Sequence, residues 1–193
     1  MKPPVPLPTT PPFLSIYTPT FRRPRQLAAC LASVGRQTAA DDVEQIVVPD
    51  HVGHGLEAAL YGRLPWYAPV LRGRYVTLIA DDDVLAGETV VEQVRAFAAA
   101  QHDPDVIVTR VVKNGLSLPA CDPCGPPECG AIDLGSYLVR GDVWQQHVSD
   151  YRQVYEGDYW HVKAMHDAGR RFAFCDVLWL TGGASHGRPE MDY

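Results

Sequence analysis

The chain has 193 residues, 46% hydrophobic and 21% charged, with a formal net charge of −6. That suffices for one domain with a real core, and the acidic balance argues against binding nucleic acid mainly through its phosphates, although Arg22, Arg23 and Arg25 form a local basic patch. No apolar run is long enough to span a bilayer, and the 5 cysteines do not form a disulfide framework, so the expectation is a cytoplasmic protein with no integral membrane segment.

Met1 to Pro12 is dominated by proline and reads as a disordered or extended lead-in, followed by a single domain over 13–193. Phe13 to Tyr17 is strand-like and ends at Thr18-Pro19-Thr20, and Pro24 suits a first helical turn. Leu27, Ala28, Leu31 and Val34 then fall at helical spacing, so a helix is expected from Arg25 to about Gln37. Val43 to Val48 reads as a second strand stopped by Pro49-Asp50, and Leu56 to about Leu71 as a helix disturbed at Pro65. Val76 to Ala80 is a third strand, Val90 to Ala100 a helix, and Val106 to Val112 a fourth strand. This alternation predicts an α/β fold with a parallel, doubly wound sheet whose ligand sits at the carboxyl ends of the strands. Thr18 to Arg23, Asp50 and Asp81 to Asp83 all fall at those ends.

The second half is less regular. Asn114 to Gly130 is rich in Pro, Gly and Cys and predicts a long loop or a weak hairpin. Ala131 to Arg140 suggests a strand, and Asp142 to Tyr151 a helix capped by Asp142. Asp158 to Ala168 reads as a helix stopped by Gly169, and Arg171 to Leu180 as a final strand. A tail with Gly182-Gly183 and His186 follows.

The run Val76-Thr77-Leu78-Ile79-Ala80-Asp81-Asp82-Asp83 is the most informative segment. A buried strand ends in adjacent carboxylates, and if it stays extended, Asp81 and Asp83 project to one side and Asp82 to the other. Oxygen donors so placed suit a hard divalent cation such as Mg²⁺ or Mn²⁺, which a diphosphate would complete. The plain alternative is a solvated acidic turn with Asp82 or Asp83 capping the next helix. Cys121, Cys124 and Cys129 have zinc-like spacing but lack a fourth ligand, so a proline-rich loop with incidental thiols is the preferred reading. Trp144, Trp160 and Trp179 suit either a sugar-stacking wall or the core.

The segment Phe13 to Arg23, the helix ending Ser33-Val34-Gly35-Arg36-Gln37-Thr38, the Asp81-Asp82-Asp83 run and Glu156-Gly157-Asp158-Tyr159-Trp160 follow one another in an order that resembles the glycosyltransferases of the GT-A fold, particularly the inverting family 2. The resemblance implies a GT-A fold, a Rossmann-like, mixed and mostly parallel sheet flanked by helices. Residues 13–112 would form the nucleotide-sugar half and 113–193 the acceptor half. It departs from the family where the second strand ends Val48-Pro49-Asp50-His51, where the family's Glu-Asp pair is replaced by Gly157-Asp158, and in its short length.

What the resemblance implies is a metal-dependent transfer of a sugar from a nucleotide-diphosphate sugar, a UDP-sugar first, to an acceptor hydroxyl, with inversion. Mn²⁺ or Mg²⁺ would be held by Asp83 and Asp81, with His186 as a further ligand or else an exposed tail histidine. Thr18, Pro19 and Thr20 would frame base and ribose, with Asp50, Asp81, Asp82, Arg22, Arg23 and Arg188 also on the donor. Asp158 would be the general base or simply a helix cap, with Glu156 as its competitor. The acceptor could be a saccharide, a lipid-linked or small molecule, or a modified DNA base. The alternatives are a nucleotidyltransferase, whose glycine-rich phosphate loop is missing after the first strand, and a non-catalytic GT-A-like interaction domain.

Overall fold

A computed structural model describes residues 10–50 and 56–182, with side chains throughout except at 56–61. Strand β1 (Leu14–Thr20) leads to helix α1 (Pro24–Gly35), with Pro24 in its first turn, then to β2 (Val43–Pro49) and α2 (Leu56–Tyr67). Pro65 is accommodated near the end of α2, where the chain tightens into a short 3-10 turn over Ala68–Val70. Then come β3 (Tyr75–Leu78), β4 (Asp83–Leu85), α3 (Val90–Ala100), β5 (Val106–Lys113), β6 (Leu116–Leu118) and β7 (Tyr137–Arg140). Helices α4 (Gly141–His147) and α5 (Gly157–Asp167) and the strand β8 (Phe172–Gly182) complete the described chain.

The sheet runs β2-β1-β3-β7-β5-β8-β4, with β6 on β5. β2, β1 and β3 are parallel, as are β5 and β8. The sheet is mixed rather than wholly parallel, because β7 enters antiparallel between β3 and β5, and β4 pairs antiparallel with β8. Both pairings join segments far apart in sequence, which local periodicity does not report. The strand expected over Ala131–Arg140 shrinks to Tyr137–Arg140, because Asp133 to Ser136 is a turn locked by its own side chains. Gly135 N–H donates to Asp133 Oδ1 at 2.9 Å, and Ser136 Oγ donates to the Asp133 carbonyl at 2.7 Å. The weak hairpin is present, as β5 turns into β6 through Asn114 and Gly115 at φ 50° and 78°, the left-handed pair that suits a tight hairpin turn.

Strand alternation sorts the core into two layers. Leu14, Ile16, Tyr75, Ile107 and Leu138 face α1 and α3, meeting Cys30, Val34, Val91 and Val94. Tyr17, Val76, Val106, Val108, Tyr137 and Val139 face the other way, onto Leu64, Val143, Trp144, Val162 and Met165 of α2, α4 and α5. Trp144 and Trp179 are fully buried in these layers, so neither belongs to a sugar-stacking wall. Trp160 is half-buried and carries the Arg152 guanidinium 3.4 Å from its ring centre. Cys121 is half-buried, and Cys124 and Cys129 are exposed. No helix among the described residues is long and apolar enough to cross a membrane.

Candidate functional site

The upward strands β1, β2, β3, β5 and β8 all end at one edge of the sheet. At the ends of β1 and β2, Asp50 N–H donates to the Thr20 carbonyl at 2.8 Å, which fixes Asp50 beside Thr20. Thr18 is buried and its hydroxyl accepts from Gln45 Nε2 at 2.9 Å, so it faces the sheet rather than a ligand. Thr20 is 8% exposed at the rim. Arg22 is exposed, in the left-handed region at φ 51°, with its guanidinium 5.2 Å from the Phe21 ring centre.

The acidic run does not continue β3. The strand ends at Leu78, and Asp83 N–H donates to the Ala80 carbonyl at 3.1 Å, so Asp81 and Asp82 form a turn before β4. The strand alternation expected of Asp81, Asp82 and Asp83 is therefore replaced by turn geometry, and the end carboxylates meet different cations. Arg23, 2% exposed, donates from Nη1 to Asp81 Oδ1 at 2.8 Å. Asp83, 1% exposed, lies 2.6 Å from the Lys113 ammonium through Oδ2. Asp82 is the least enclosed, with a side chain 12% exposed and its Oδ2 3.6 Å from Arg23 Nη1.

Lys113 and Asp133 were not singled out by the sequence. Lys113 closes β5, and its Nζ also lies 2.6 Å from Asp133 Oδ1. The available signals were slight: a lysine ending an apolar strand before Asn-Gly, and an Asp-x-Gly-Ser turn. Asp158, half-buried in the first turn of α5, senses the charges of both Asp133 and Lys113, which places it at the same cluster. Its Oδ1 accepts the Tyr159 N–H at 2.7 Å. Glu156 precedes α5 as an exposed residue whose side chain makes no capping bond. His186 and Arg188 lie outside the described residues.

Burial sets the electrostatics. It raises the Asp81 carboxyl above its ordinary range, against the lowering by Thr20 and Arg23. Burial pushes Asp83 up to about 7 although Lys113 opposes it, and Asp158 up to about 6. Burial alone would lower Lys113, but Asp133 and Asp83 more than reverse that, so the ammonium stays charged.

The donor set is chemically apt for a hard divalent cation. Asp82, Asp83, Asp133 and Asp158 offer carboxylate oxygens, and the buried Asp81 Oδ2 and Asp83 Oδ1 have no hydrogen-bond partner, an unusual state for such atoms. Among the described residues, no group of three His, Cys, Asp or Glu side chains stands ready to hold a metal. A cation here would take one or two protein carboxylates and complete its shell from a bound phosphate and water. Room beside Asp83 depends on Gly182, its β8 partner. A side chain there would come within 2.8 Å of the Asp82 carbonyl and closer still to Asp83 Oδ1.

No protein-family model matches the chain, and no curated protein sequence matches it either. Solved structures do. TarS of S. aureus superposes at a TM-score of 0.68 with 14% identity, over 89% of this chain and 37% of that one. TarS 1–349 in complex with UDP-GlcNAc gives 0.66 at 14% identity, over 91% of this chain and 60% of that one. The mannosyltransferase PcManGT of Pyrobaculum calidifontis, in complex with GDP-Man and Mn²⁺, gives 0.65 at 14% identity, over 91% and 58%. The chain thus spans less than two thirds of each of these proteins. At this identity the likeness shows the fold, which is GT-A-like.

Proposed function

We propose that this chain is a glycosyltransferase of the inverting family 2 type, moving a sugar from a nucleotide-diphosphate sugar to an acceptor hydroxyl. The observation that carries this reading is the gathering of Thr20, Asp50, Asp81, Asp82, Asp83, Lys113, Asp133 and Asp158 at one edge of the sheet. That edge is where ligands sit in such sheets, and the fold is shared with proteins seen bound to UDP-GlcNAc and GDP-Man. A UDP-sugar is the first candidate donor.

Residues 13–112 supply the donor side in this reading. Pro19, Thr20 and Asp50 frame the nucleoside, with the buried Thr18 holding the β1 backbone beneath them. Arg22 is free to turn toward a phosphate, whereas Arg23 acts through Asp81, holding the acidic turn in shape. Asp82 and Asp83 would hold a Mn²⁺ or Mg²⁺ ion, with Asp81 behind them and His186 as a further ligand, while Arg188 would meet a donor phosphate. That cation, when bound, would stabilise the charge on the departing diphosphate.

Residues 113–193 supply the acceptor side. Asp158 accepts the proton of the acceptor hydroxyl, and the burial that raises its carboxyl makes it a better base near neutral pH than an exposed aspartate. Glu156 is exposed and makes no capping bond, and it is the weaker candidate. The acceptor is a hydroxyl-bearing saccharide, lipid-linked molecule, small molecule or modified base, and the setting is the cytoplasm.

The test is calorimetric titration of the purified chain with UDP, GDP, CDP and TDP, with and without Mn²⁺. Binding of one nucleotide that disappears without the metal supports the donor site and names the base. Failure of all of them removes the donor reading and leaves a GT-A-like interaction domain.

A further inference from the structure

The donor reading counts Lys113 in the cluster but assigns it no role, although its side chain lies between two of the carboxylates. Its Nζ is 2.6 Å from Asp83 Oδ2 and 2.6 Å from Asp133 Oδ1. The two carboxylate oxygens are therefore held no farther apart than those distances allow. Two carboxylates so close, with Asp83 only 1% exposed, cannot both stay ionised without a cation between them. Lys113 is that cation in the folded chain.

A metal ion ligated by Asp83 would claim the same carboxylate and stand against the ammonium. Two cations cannot share one buried carboxylate without strong repulsion. The neighbouring Arg23 pair behaves differently. Arg23 is 2% exposed, its planar guanidinium is fixed on Asp81, and it has no route out. Lys113 is 15% exposed and reaches the cluster on a flexible four-carbon stem. Its backbone is anchored by pairing with Leu116 and Gly182, so the head can swing while the strand stays in place.

We propose that Lys113 is a resident counter-ion that holds the divalent-cation position between Asp83 and Asp133, and that its ammonium must leave these carboxylates when a metal–nucleotide pair binds. The inference rests on the glycosyltransferase reading for the identity of the incoming pair, but the exchange of ammonium for metal stands on the cluster alone. It makes the bare protein a poor metal binder by design of its own charges, with the nucleotide's phosphates supplying the ligands that tip the exchange.

The test is Mn²⁺ binding to the full chain without nucleotide, read as loss of the free-ion signal in electron paramagnetic resonance. Lys113→Met should bind Mn²⁺ about tenfold more tightly than the wild type, since the competing charge is gone. Lys113→Met leaves Asp83 and Asp133 facing each other, so a second variant, Lys113→Gln, removes the charge but keeps an uncharged amide donor between the two carboxylates. It should still bind Mn²⁺ more tightly than the wild type. Equal or weaker Mn²⁺ binding by the folded variants, or no binding by any form, overturns the exchange. Because no nucleotide is present, tighter binding by the variants supports the exchange even if the nucleotide titrations fail and sink the donor reading.

Discussion

Arg23 and Asp81 lie 58 residues apart in sequence and meet in a buried ion pair, with Nη1 donating to Oδ1 at 2.8 Å. The pair ties the start of α1 to the turn that follows β3. Removing one partner strands the other's charge away from water. Arg23→Met should cost about 3–5 kcal/mol in urea unfolding, whereas Arg23→Met with Asp81→Leu should recover most of the loss. Equal destabilisation by the single and double variants would show that the pair is not what holds the turn.

In the proposed reading Asp158 is the general base. Asp158→Asn should lower turnover by about 100-fold or more while leaving nucleotide affinity near the wild-type value. Glu156→Gln should change turnover by less than about threefold, in keeping with its exposed position. The reverse ranking would transfer the role of base to Glu156.

The same carboxyl makes a stability prediction of definite sign. Burial raises Asp158 from an ordinary 3.8 to about 6, so its contribution to stability is full below the lower value and is lost as pH rises through the upper one. Asp158→Asn should therefore melt higher than the wild type at pH 8 and no higher at pH 4. Turnover in the wild type should fall on the acid side of about pH 6, where the base takes up its proton.

Asp83, raised by burial to about 7, follows the same sign for stability and the opposite one for a metal. A metal needs the ionised carboxylate, so Mn²⁺ affinity should climb as pH rises through about 7 and level off above it. Asp83→Asn should abolish that climb. A pH-independent Mn²⁺ affinity in the wild type would take Asp83 out of the ligand set.

Gly182 faces Asp83 across the β4–β8 pair. Gly182→Ala places a methyl group against Asp83 Oδ1 and the Asp82 carbonyl, so either the carboxylate or the strand must move. The expected outcome is a folded protein whose metal-dependent nucleotide binding is weakened by about tenfold or more. Unchanged binding would show that Asp83 tolerates displacement and is not a ligand.

Much of the scaffold is legible in the sequence because it is local. The α3 helix spans Val90–Ala100 as its apolar spacing requires, β2 and β5 run one residue past their expected ends, and Pro24 opens α1. The site is legible only in outline. Asp81 to Asp83 announce an acidic centre at a strand end, but strand alternation misassigns their directions, because the backbone turns at Asp81. Lys113 and Asp133 carry no motif. Their meaning comes from a contact that exists only after β5 and the turn before β7 are side by side. Trp144 and Trp179 illustrate the same limit: their type permits a sugar wall, and only packing assigns them to the core.

The antiparallel entry of β7 between β3 and β5 has a consequence for synthesis. A ribosome delivers β1 to β6 first, but β5, paired only with the short β6, is not joined to β3 until residues 137–140 have emerged. Until then β3 and β5 both present bare hydrogen-bonding edges, the kind that recruit strands from other chains. A fragment ending at Val112 would carry most of the residues proposed to face the nucleotide and still be unable to close its sheet. Truncation there is expected to give an aggregating polypeptide rather than an independent module, so the two halves that meet at the acidic edge of the sheet are obliged to fold as one unit.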